Sequence, residues 1–155
     1  MNKWDKYFLD VALLTAGLSK DPSTGVGSVI VTPDNQLVST GFNGFPRGIE
    51  DTKERLNNRE EKLRLVVHAE LNSMLFAARI GIKIDGYTMY ICATDSSGKI
   101  WGGAPCDQCC KHIIQSGIKK IISYPKKSIP TKWAESLRLS EELLKEAGIE
   151  YVEVV

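Results

Sequence analysis

Two short motifs in the sequence contain side chains that can bind a metal ion and move protons. They are His68-Ala69-Glu70 and Pro105-Cys106-Asp107-Gln108-Cys109. Cysteines three positions apart in the first turn of a helix project to one side, and with one imidazole they offer Zn²⁺ two thiolates and a nitrogen. Three protein ligands leave a fourth position for water, whose pKa falls to about 7 to 9 at such sites. His68, Cys106 and Cys109 therefore predict a catalytic zinc site with one ion per subunit.

The spacing of Glu70 from His68 restricts where this motif can work. Side chains two apart inside a helix point about 200° away from each other, so the two converge only where a helix begins. The motif thus predicts a helix start near His68, with Glu70 as a proton shuttle beside the metal. The alternative is a first-turn carboxylate that only interacts with the helix dipole.

A structural zinc site is the alternative for the three ligands. Structural zinc has four protein ligands, and His112 follows Cys109 by three positions, although that geometry would be strained and a surface histidine is the better interpretation. Cys92 and Cys110 lack ligand spacing, and free cysteine packs as a small hydrophobic side chain. We therefore predict both of these cysteines in the core.

The elements that must position the two motifs follow from apolar spacing and turn residues. Pro33-Asp34-Asn35 joins two β-rich runs as a hairpin, and Gly81 stands where the helix opened by His68 would end. Further helices are predicted over residues 4–19, 106–116 and 131–147, and strands over 26–32, 36–42, 87–92, 119–124 and 149–155.

Two segments carry weaker signals. Residues 43–65 show no sustained period and are predicted as a long functional connection, whose charged run 50–64 is typical of a solvated or subunit-facing segment. Trp133, Leu137 and Leu144 are interpreted as an ordinary buried stripe of the last helix.

Alternation of strands and helices after residue 68 predicts parallel strands covered by helices. The fold class is therefore α/β, a three-layer α/β/α sandwich with a mixed sheet of about five strands. A chain of 155 residues is long enough for one hydrophobic core and too short for two. We predict a single domain over residues 1–155.

Composition excludes several classes of partner. Lys and Arg total 20 and Asp and Glu 19, so a net charge of +1 provides no broad positive field for nucleic acid or an anionic membrane. Residues 1–6 contain charges where a signal peptide would be apolar, and no later run has the length of a membrane span. The sequence thus predicts a cytoplasmic protein with no nucleic-acid or membrane partner, in which the cysteines serve metal or thiol chemistry.

The two motifs, in this order, resemble those of the zinc-dependent deoxycytidylate (dCMP) deaminases of the cytidine deaminase superfamily. Further similar segments lie at 19–24, 26–27, 41–44, 68–72, 86–90 and 115–120. The resemblance implies a cytidine deaminase-like fold and hydrolysis of dCMP to dUMP and ammonia, which supplies thymidylate synthesis. It implies that zinc-bound hydroxide attacks C4 of the pyrimidine while Glu70 protonates N3 and then the departing amino group.

The same resemblance implies contacts with a small nucleotide substrate. The Asn43 side chain would bind the sugar hydroxyl, and the backbone N–H of Ala69 would bind the base carbonyl. The other implied substrate contacts are Val26 and, for the 5′-phosphate, Lys20, Ser23 and Thr24.

Assembly and regulation are implied in the same way. The resemblance implies a homo-oligomer, a hexamer in many relatives, activated by dCTP and inhibited by dTTP. The effector would bind near the loop at Asn43, with Gly44, Phe76 and Arg79 as contacts. Core packing and a solvated charge explain Phe76 and Arg79 equally well.

Three departures from the family pattern bear on the substrate. Gly25 replaces a common glutamine, the stretch 93–104 is longer than usual and could place Trp101 over the base, and the chain after Lys126 differs. The alternatives to dCMP are therefore dCTP, a 5-modified dCMP and CMP. Deamination of a base in nucleic acid is disfavoured by the charge, and a non-catalytic nucleotide sensor is disfavoured by Glu70.

Overall fold

The computed structural model describes residues 1–127 and 129–155, and its central feature is a five-stranded sheet in the order β2-β1-β3-β4-β5. Strand β1 pairs antiparallel with β2 and β3, whereas β3, β4 and β5 are parallel. The predicted hairpin and the predicted mixed sheet are both confirmed. The strands are β1 (Thr24–Val31), β2 (Leu37–Phe42), β3 (Thr88–Asp95), β4 (Lys120–Ser123) and β5 (Glu150–Glu153).

Helices precede, connect and cover these strands. The predicted helices are all present with bounds shifted by a few residues, and a short 3-10 turn at Thr131–Trp133 precedes the last one. The α-helices are α1 (Lys3–Ala16), α2 (Lys53–Asn57), α3 (Arg59–Leu65), α4 (Ala69–Arg79), α5 (Asp107–Ser116) and α6 (Ala134–Glu146).

The segment predicted as an irregular connection contains the two short helices α2 and α3. Thr52 caps the first by accepting from the N–H of Arg55, and Asn58 caps the second by accepting from the N–H of Glu61. Only Leu56 and Lys62 of these helices are buried, so the segment has no apolar stripe from which a helical period could be read.

Alternate residues of β1 face two different helical layers. Val29 and Val31 pack with α1 through Phe8 in one buried cluster, whereas Ile30 packs with Met74 and the α5 and α6 side chains in the other. Helices therefore cover both faces of one sheet, as in the predicted three-layer sandwich. No helix in the described part of the chain is both long and apolar enough to cross a bilayer.

Helix α4 lies unusually close to the sheet. A Cβ atom on Gly41 of β2 would stand 2.3 Å from the Ala69 carbonyl oxygen and 2.4 Å from the Ser73 nitrogen, so only glycine permits this approach. The hydroxyl of Ser39 donates to the Ser73 carbonyl at 2.7 Å, and the Ser28 and Ser73 hydroxyls lie 3.0 Å apart. The start of α4 is thus fixed against β1 and β2.

Candidate active site and metal centre

The three predicted metal ligands come together in the fold. Nδ1 of His68 lies 3.4 Å from the sulfur of Cys106 and 3.4 Å from the sulfur of Cys109. The three donor atoms all lie within 4.8 Å of one another. Nδ1 is therefore the ring nitrogen that faces the two sulfurs.

Two helix starts bring these donors together. His68 is the N-cap residue of α4 and Cys106 is the N-cap residue of α5, and both have extended backbone conformations. An N-cap side chain projects from the end of its helix, so donors on separate helices can meet at one point. Cys109 lies one turn into α5, on the side that faces His68.

Glu70 occupies the position that a helix-start motif requires. It is the second residue of α4 and only 4% exposed. The sulfur of Cys109 lies 3.5 Å from its Oε2 atom, and the hydroxyl of Ser73 donates to its backbone carbonyl at 2.8 Å. Because His68 has a non-helical backbone, the two side chains converge despite being two residues apart.

Hydrogen bonds and burial shift the pKa values of these four side chains. The hydrogen bond from Cys109 and the one with His68 lower the pKa of the Cys106 thiol to about 4, and Cys106 in turn raises the pKa of the His68 imidazole to about 9. The pKa of Cys109 is raised by its hydrogen bond to Cys106 and by burial. Burial, together with the charge on Cys106, raises the pKa of Glu70 above its usual range.

The donor set fits zinc. Two sulfurs and one imidazole nitrogen face a common point, and the lowered pKa of Cys106 favours the thiolate form that Zn²⁺ binds. Within the described residues, this group contains no fourth His, Cys, Asp or Glu donor, and His112 is exposed. Three donors and an open position correspond to a catalytic rather than a structural zinc site.

A cavity of about 390 Å³ adjoins the metal site, and its lining includes His68, Glu70 and Cys106. Polar and charged side chains form one part of the wall. They come from the residues just before and at the start of β1, from the residue after β2, and from α3. They are Asp21, Ser23, Thr24, Asn43, Arg59 and Lys62. The cavity can therefore receive a polar, anionic small molecule next to the three donors.

Asn43 is held in a fixed orientation within this wall. Its side-chain oxygen accepts from the Val26 N–H at 2.7 Å, and its side-chain nitrogen donates to the Thr24 carbonyl at 2.9 Å. The Ser19 hydroxyl donates to the Asn43 carbonyl at 2.9 Å. Each group of the amide keeps one further hydrogen-bonding position for a ligand.

Most of the other proposed substrate residues lie at this cavity. Ser23, Thr24 and Val26 line it, and Ala69 is the fully buried first residue of α4, where backbone N–H groups lack helical acceptors. Lys20 does not line this cavity. Its side chain is 67% exposed and forms an ion pair with Asp51 at 2.8 Å.

The three proposed effector residues are not gathered at one place. Gly44 lines a second cavity of about 180 Å³ together with Lys20 and Asp51. Phe76 is partly exposed beneath the guanidinium of Arg47, 5.9 Å from its ring centre, and Arg79 is exposed. Neither Phe76 nor Arg79 lines either of these two cavities.

The extended stretch before Pro105 forms part of the cavity wall. The Trp101 N–H donates to the Ala93 carbonyl at 2.8 Å, its carbonyl accepts from the Lys127 N–H at 2.7 Å, and the Gly103 N–H donates to the Tyr124 carbonyl at 3.0 Å. Trp101 lines the cavity, as the sequence suggested. These backbone bonds tie the stretch to β3 and to the chain that follows β4.

Sequence reasoning missed several residues of the cavity, and four of them lie in segments for which it gave another interpretation. Arg59 and Lys62 belong to the charged run that was interpreted as a solvated segment, and Trp133 and Leu137 to the supposed ordinary buried stripe. Lys62 is buried, with its amino group 3.0 Å from the Asp21 carboxylate. Arg59 and Lys62 are three residues apart, a spacing that places both on one helix face, but the sequence does not distinguish such a face from a solvated one.

Comparison with known proteins agrees with this geometry. The family model for the cytidine and deoxycytidylate deaminase zinc-binding region matches residues 2–124. An uncharacterized deaminase in the luxG 3′ region of Aliivibrio fischeri is 36% identical over 151 residues, which cover 97% of this chain and 92% of that protein. The deoxycytidylate deaminase of Mus musculus is 35% identical over 154 residues, covering 96% of this chain and 78% of that enzyme.

A solved structure shares the fold over the full length. The dCMP deaminase of cyanophage S-TIM5, solved in complex with dCMP and dUMP, superposes with a TM-score of 0.74 at 22% identity and covers 99% of both chains. On the match to the family model and the identity with its curated members, the chain belongs to the cytidine and deoxycytidylate deaminase family.

Proposed function

We propose that this protein hydrolyses dCMP to dUMP and ammonia. The observation that carries the proposal is a buried carboxylate, Glu70, beside three converging zinc donors in a cavity whose wall contains two cations, Arg59 and Lys62. The curated deoxycytidylate deaminases of mouse and human, at 35% and 34% identity, support the choice of substrate.

His68, Cys106 and Cys109 would hold the zinc, which when bound activates a water molecule for attack on the pyrimidine ring. Glu70 takes the proton released from that water, because burial raises the pKa of its carboxyl and so makes the carboxylate a stronger base. It delivers that proton to N3 and then passes the proton of the hydroxyl formed at C4 to the departing amino group, which leaves as ammonia. Burial among the donors excludes bulk water from this carboxylate.

The cavity wall supports a defined set of substrate contacts. Asn43, held by the backbone of β1, is placed to bind a sugar hydroxyl, and the Ala69 N–H is a donor for the base carbonyl. Ser23 and Thr24 stand near the cations of α3, so we assign the 5′-phosphate to them with Arg59 and Lys62. Lys20, tied to Asp51 outside this cavity, has no part in this arrangement.

Ammonia release from a panel of free nucleotides tests the proposal. The purified zinc-loaded protein is assayed with dCMP, dCTP, CMP, 5-methyl-dCMP and deoxycytidine. We expect the highest kcat/KM with dCMP, and at least a tenfold lower value with deoxycytidine, because the phosphate contacts are lost. A higher kcat/KM with another member of the panel would contradict dCMP as the substrate.

We further propose a single cytoplasmic deaminase domain over residues 1–155. Both buried clusters pack on the same sheet, and thiolate zinc ligands persist in a reducing compartment. A single cooperative unfolding transition by two spectroscopic probes is expected for one domain.

Assembly and regulation also remain proposals. Exposed apolar side chains in α4 and directly after it support a homo-oligomer, up to the hexamer expected from the family. They are Leu75, Phe76 and Ile80. Regulation by dCTP and dTTP would use the second cavity at Gly44. Hyperbolic dCMP saturation that neither triphosphate alters would contradict such regulation.

A further inference from the structure

Helix α6 contacts the turn that carries both cysteine ligands. The N–H of Asp107, the residue directly after Cys106, donates to the hydroxyl of Ser136 at 3.0 Å. The Ser136 hydroxyl in turn donates to the Asp107 carboxylate. Ser136 and Asp107 are both partly buried.

The contact provides a hydrogen-bond acceptor for a backbone N–H at the start of α5. The first N–H groups of a helix have no helical acceptors, and the usual remedy is an N-cap side chain. At α5 the N-cap is Cys106, whose sulfur lies 3.5 Å from the Cys109 nitrogen and is also a zinc donor. A cap side chain reaches the second or third N–H of the helix, so the first one, that of Asp107, has Ser136 as its acceptor instead.

The same contact also provides a hydrogen-bond donor for the negatively charged carboxylate of Asp107. Asp107 stands next to one sulfur donor and two residues from the other, and like charges so close repel each other. The hydroxyl of Ser136 and the amide of Gln108 both donate to the Asp107 carboxylate. These two donors fix the orientation of the carboxylate.

We propose that Ser136 is a positioning residue for the zinc centre. By fixing Asp107 through both its N–H and its carboxylate, it sets the backbone that connects Cys106 and Cys109 and so the placement of their sulfurs around Nδ1 of His68. The inference rests on the zinc site of the proposed function, but it concerns metal affinity and not the choice of substrate.

A matched pair of serine variants tests this role. Ser136→Ala removes the contact, whereas Ser140→Ala, one turn later on α6, removes a buried hydroxyl that has no partner within the described residues. Zinc affinity is measured by competition with a chromophoric chelator. We expect about a 10- to 100-fold loss for Ser136→Ala, as for other residues that orient metal ligands, and less than about a twofold change for Ser140→Ala.

Two further measurements separate positioning from general stability. Ser136→Thr keeps a hydroxyl and is expected to restore zinc affinity to within a few-fold of the parent. Thermal unfolding of the zinc-free variants should place Ser136→Ala and Ser140→Ala within a few degrees of each other. Unchanged zinc affinity in Ser136→Ala, equal losses in both alanine variants, or no rescue by threonine would overturn the proposal.

The outcomes also distinguish this inference from the proposed function. If the parent protein binds zinc but does not deaminate dCMP, the proposed function fails while the effect of Ser136 on zinc affinity can still be observed. If the parent binds zinc and deaminates dCMP but Ser136→Ala matches it in affinity, only the role of Ser136 fails.

Discussion

Among single residues, Glu70 combines burial, a raised pKa and closeness to three metal donors. A carboxylate 4% exposed is costly to keep charged unless it has partners or a chemical role. Its near neighbour is the Cys109 sulfur at 3.5 Å, which is a weak hydrogen-bond donor. The position is therefore poor for stability and suited to proton transfer.

We expect Glu70→Gln to lower kcat for dCMP by about 10² to 10⁴, because glutamine keeps the shape of the side chain but cannot accept a proton. Zinc content by metal analysis should stay at one ion per subunit. Glu60→Gln, on the exposed face of α3, serves as the control and should keep the parent rate. A Glu70→Gln variant with parental kcat would exclude the proton-shuttle role.

Arg59 offers the cleanest test of the phosphate contact. It is exposed at the cavity and forms no ion pair with any described residue, so its replacement leaves no buried charge behind. We expect Arg59→Gln to lower kcat/KM for dCMP about tenfold or more, since a charge-assisted hydrogen bond is lost, and to leave deoxycytidine unaffected.

Arg64→Gln is the matched control for Arg59→Gln, because Arg64 lies on the same helix, pairs with Glu60 and does not line the cavity. Its kinetics with dCMP should equal those of the parent. Equal losses for dCMP and deoxycytidine in Arg59→Gln would assign the residue to a general structural role.

Among the elements, the approach of α4 to the sheet decides where His68 and Glu70 stand. Gly41 permits that approach, and the hydroxyls of Ser28 and Ser39 anchor Ser73 on the same helix. Because the atoms that a larger side chain would meet belong to the backbone of α4, a rotamer change cannot relieve the clash.

We therefore expect Gly41→Ala to lower the free energy of unfolding by roughly 1 to 3 kcal/mol through overpacking. Urea titration monitored by circular dichroism measures the change. Gly44→Ala is the control, because a Cβ at Gly44 would meet only the Phe42 ring at an ordinary distance of 3.7 Å. Equal stability of the two variants would show that α4 adjusts freely.

The elements also differ in how far they can be read from the sequence. The strands and longer helices carry periodic apolar residues, which reflect burial against a sheet. Helices α2 and α3 do not, because they bury only Leu56 and Lys62 and are started by polar caps. The contribution of α3 to the cavity could not be predicted, since a charged helix is usually a solvated one.

For the whole molecule, the exposed apolar side chains support the proposed association of several subunits. Leu75, Phe76 and Ile80 are exposed near the C-terminal end of α4, where Ile80 is the C-cap residue. We expect the protein to sediment as an oligomer at micromolar concentration. The double variant Leu75→Glu/Ile80→Glu should sediment with a lower mass than the parent.

Analytical ultracentrifugation measures that mass, and circular dichroism confirms that the variant stays folded. Leu139→Glu, an exposed leucine on α6, is the control and should leave the mass unchanged. A parent protein that sediments as a monomer would contradict the proposed oligomer.

The sequence by itself determined the chemistry of this protein. The types and spacing of His68, Glu70, Cys106 and Cys109 specify a zinc site with a neighbouring carboxylate, because metal ligation and proton transfer depend on local geometry at two helix starts. The alternation of strands and helices specified the layered sheet for a similar reason, since apolar periodicity is a local property of the sequence.

Only the tertiary structure decided which other residues meet at that chemistry. Lys20 turned out to pair with Asp51, whereas Arg59, Lys62 and Trp133 reached the cavity from segments that gave no such signal. Contacts between residues far apart in sequence depend on how helices pack on the sheet, and a cation looks the same in a sequence whether it faces solvent or a substrate.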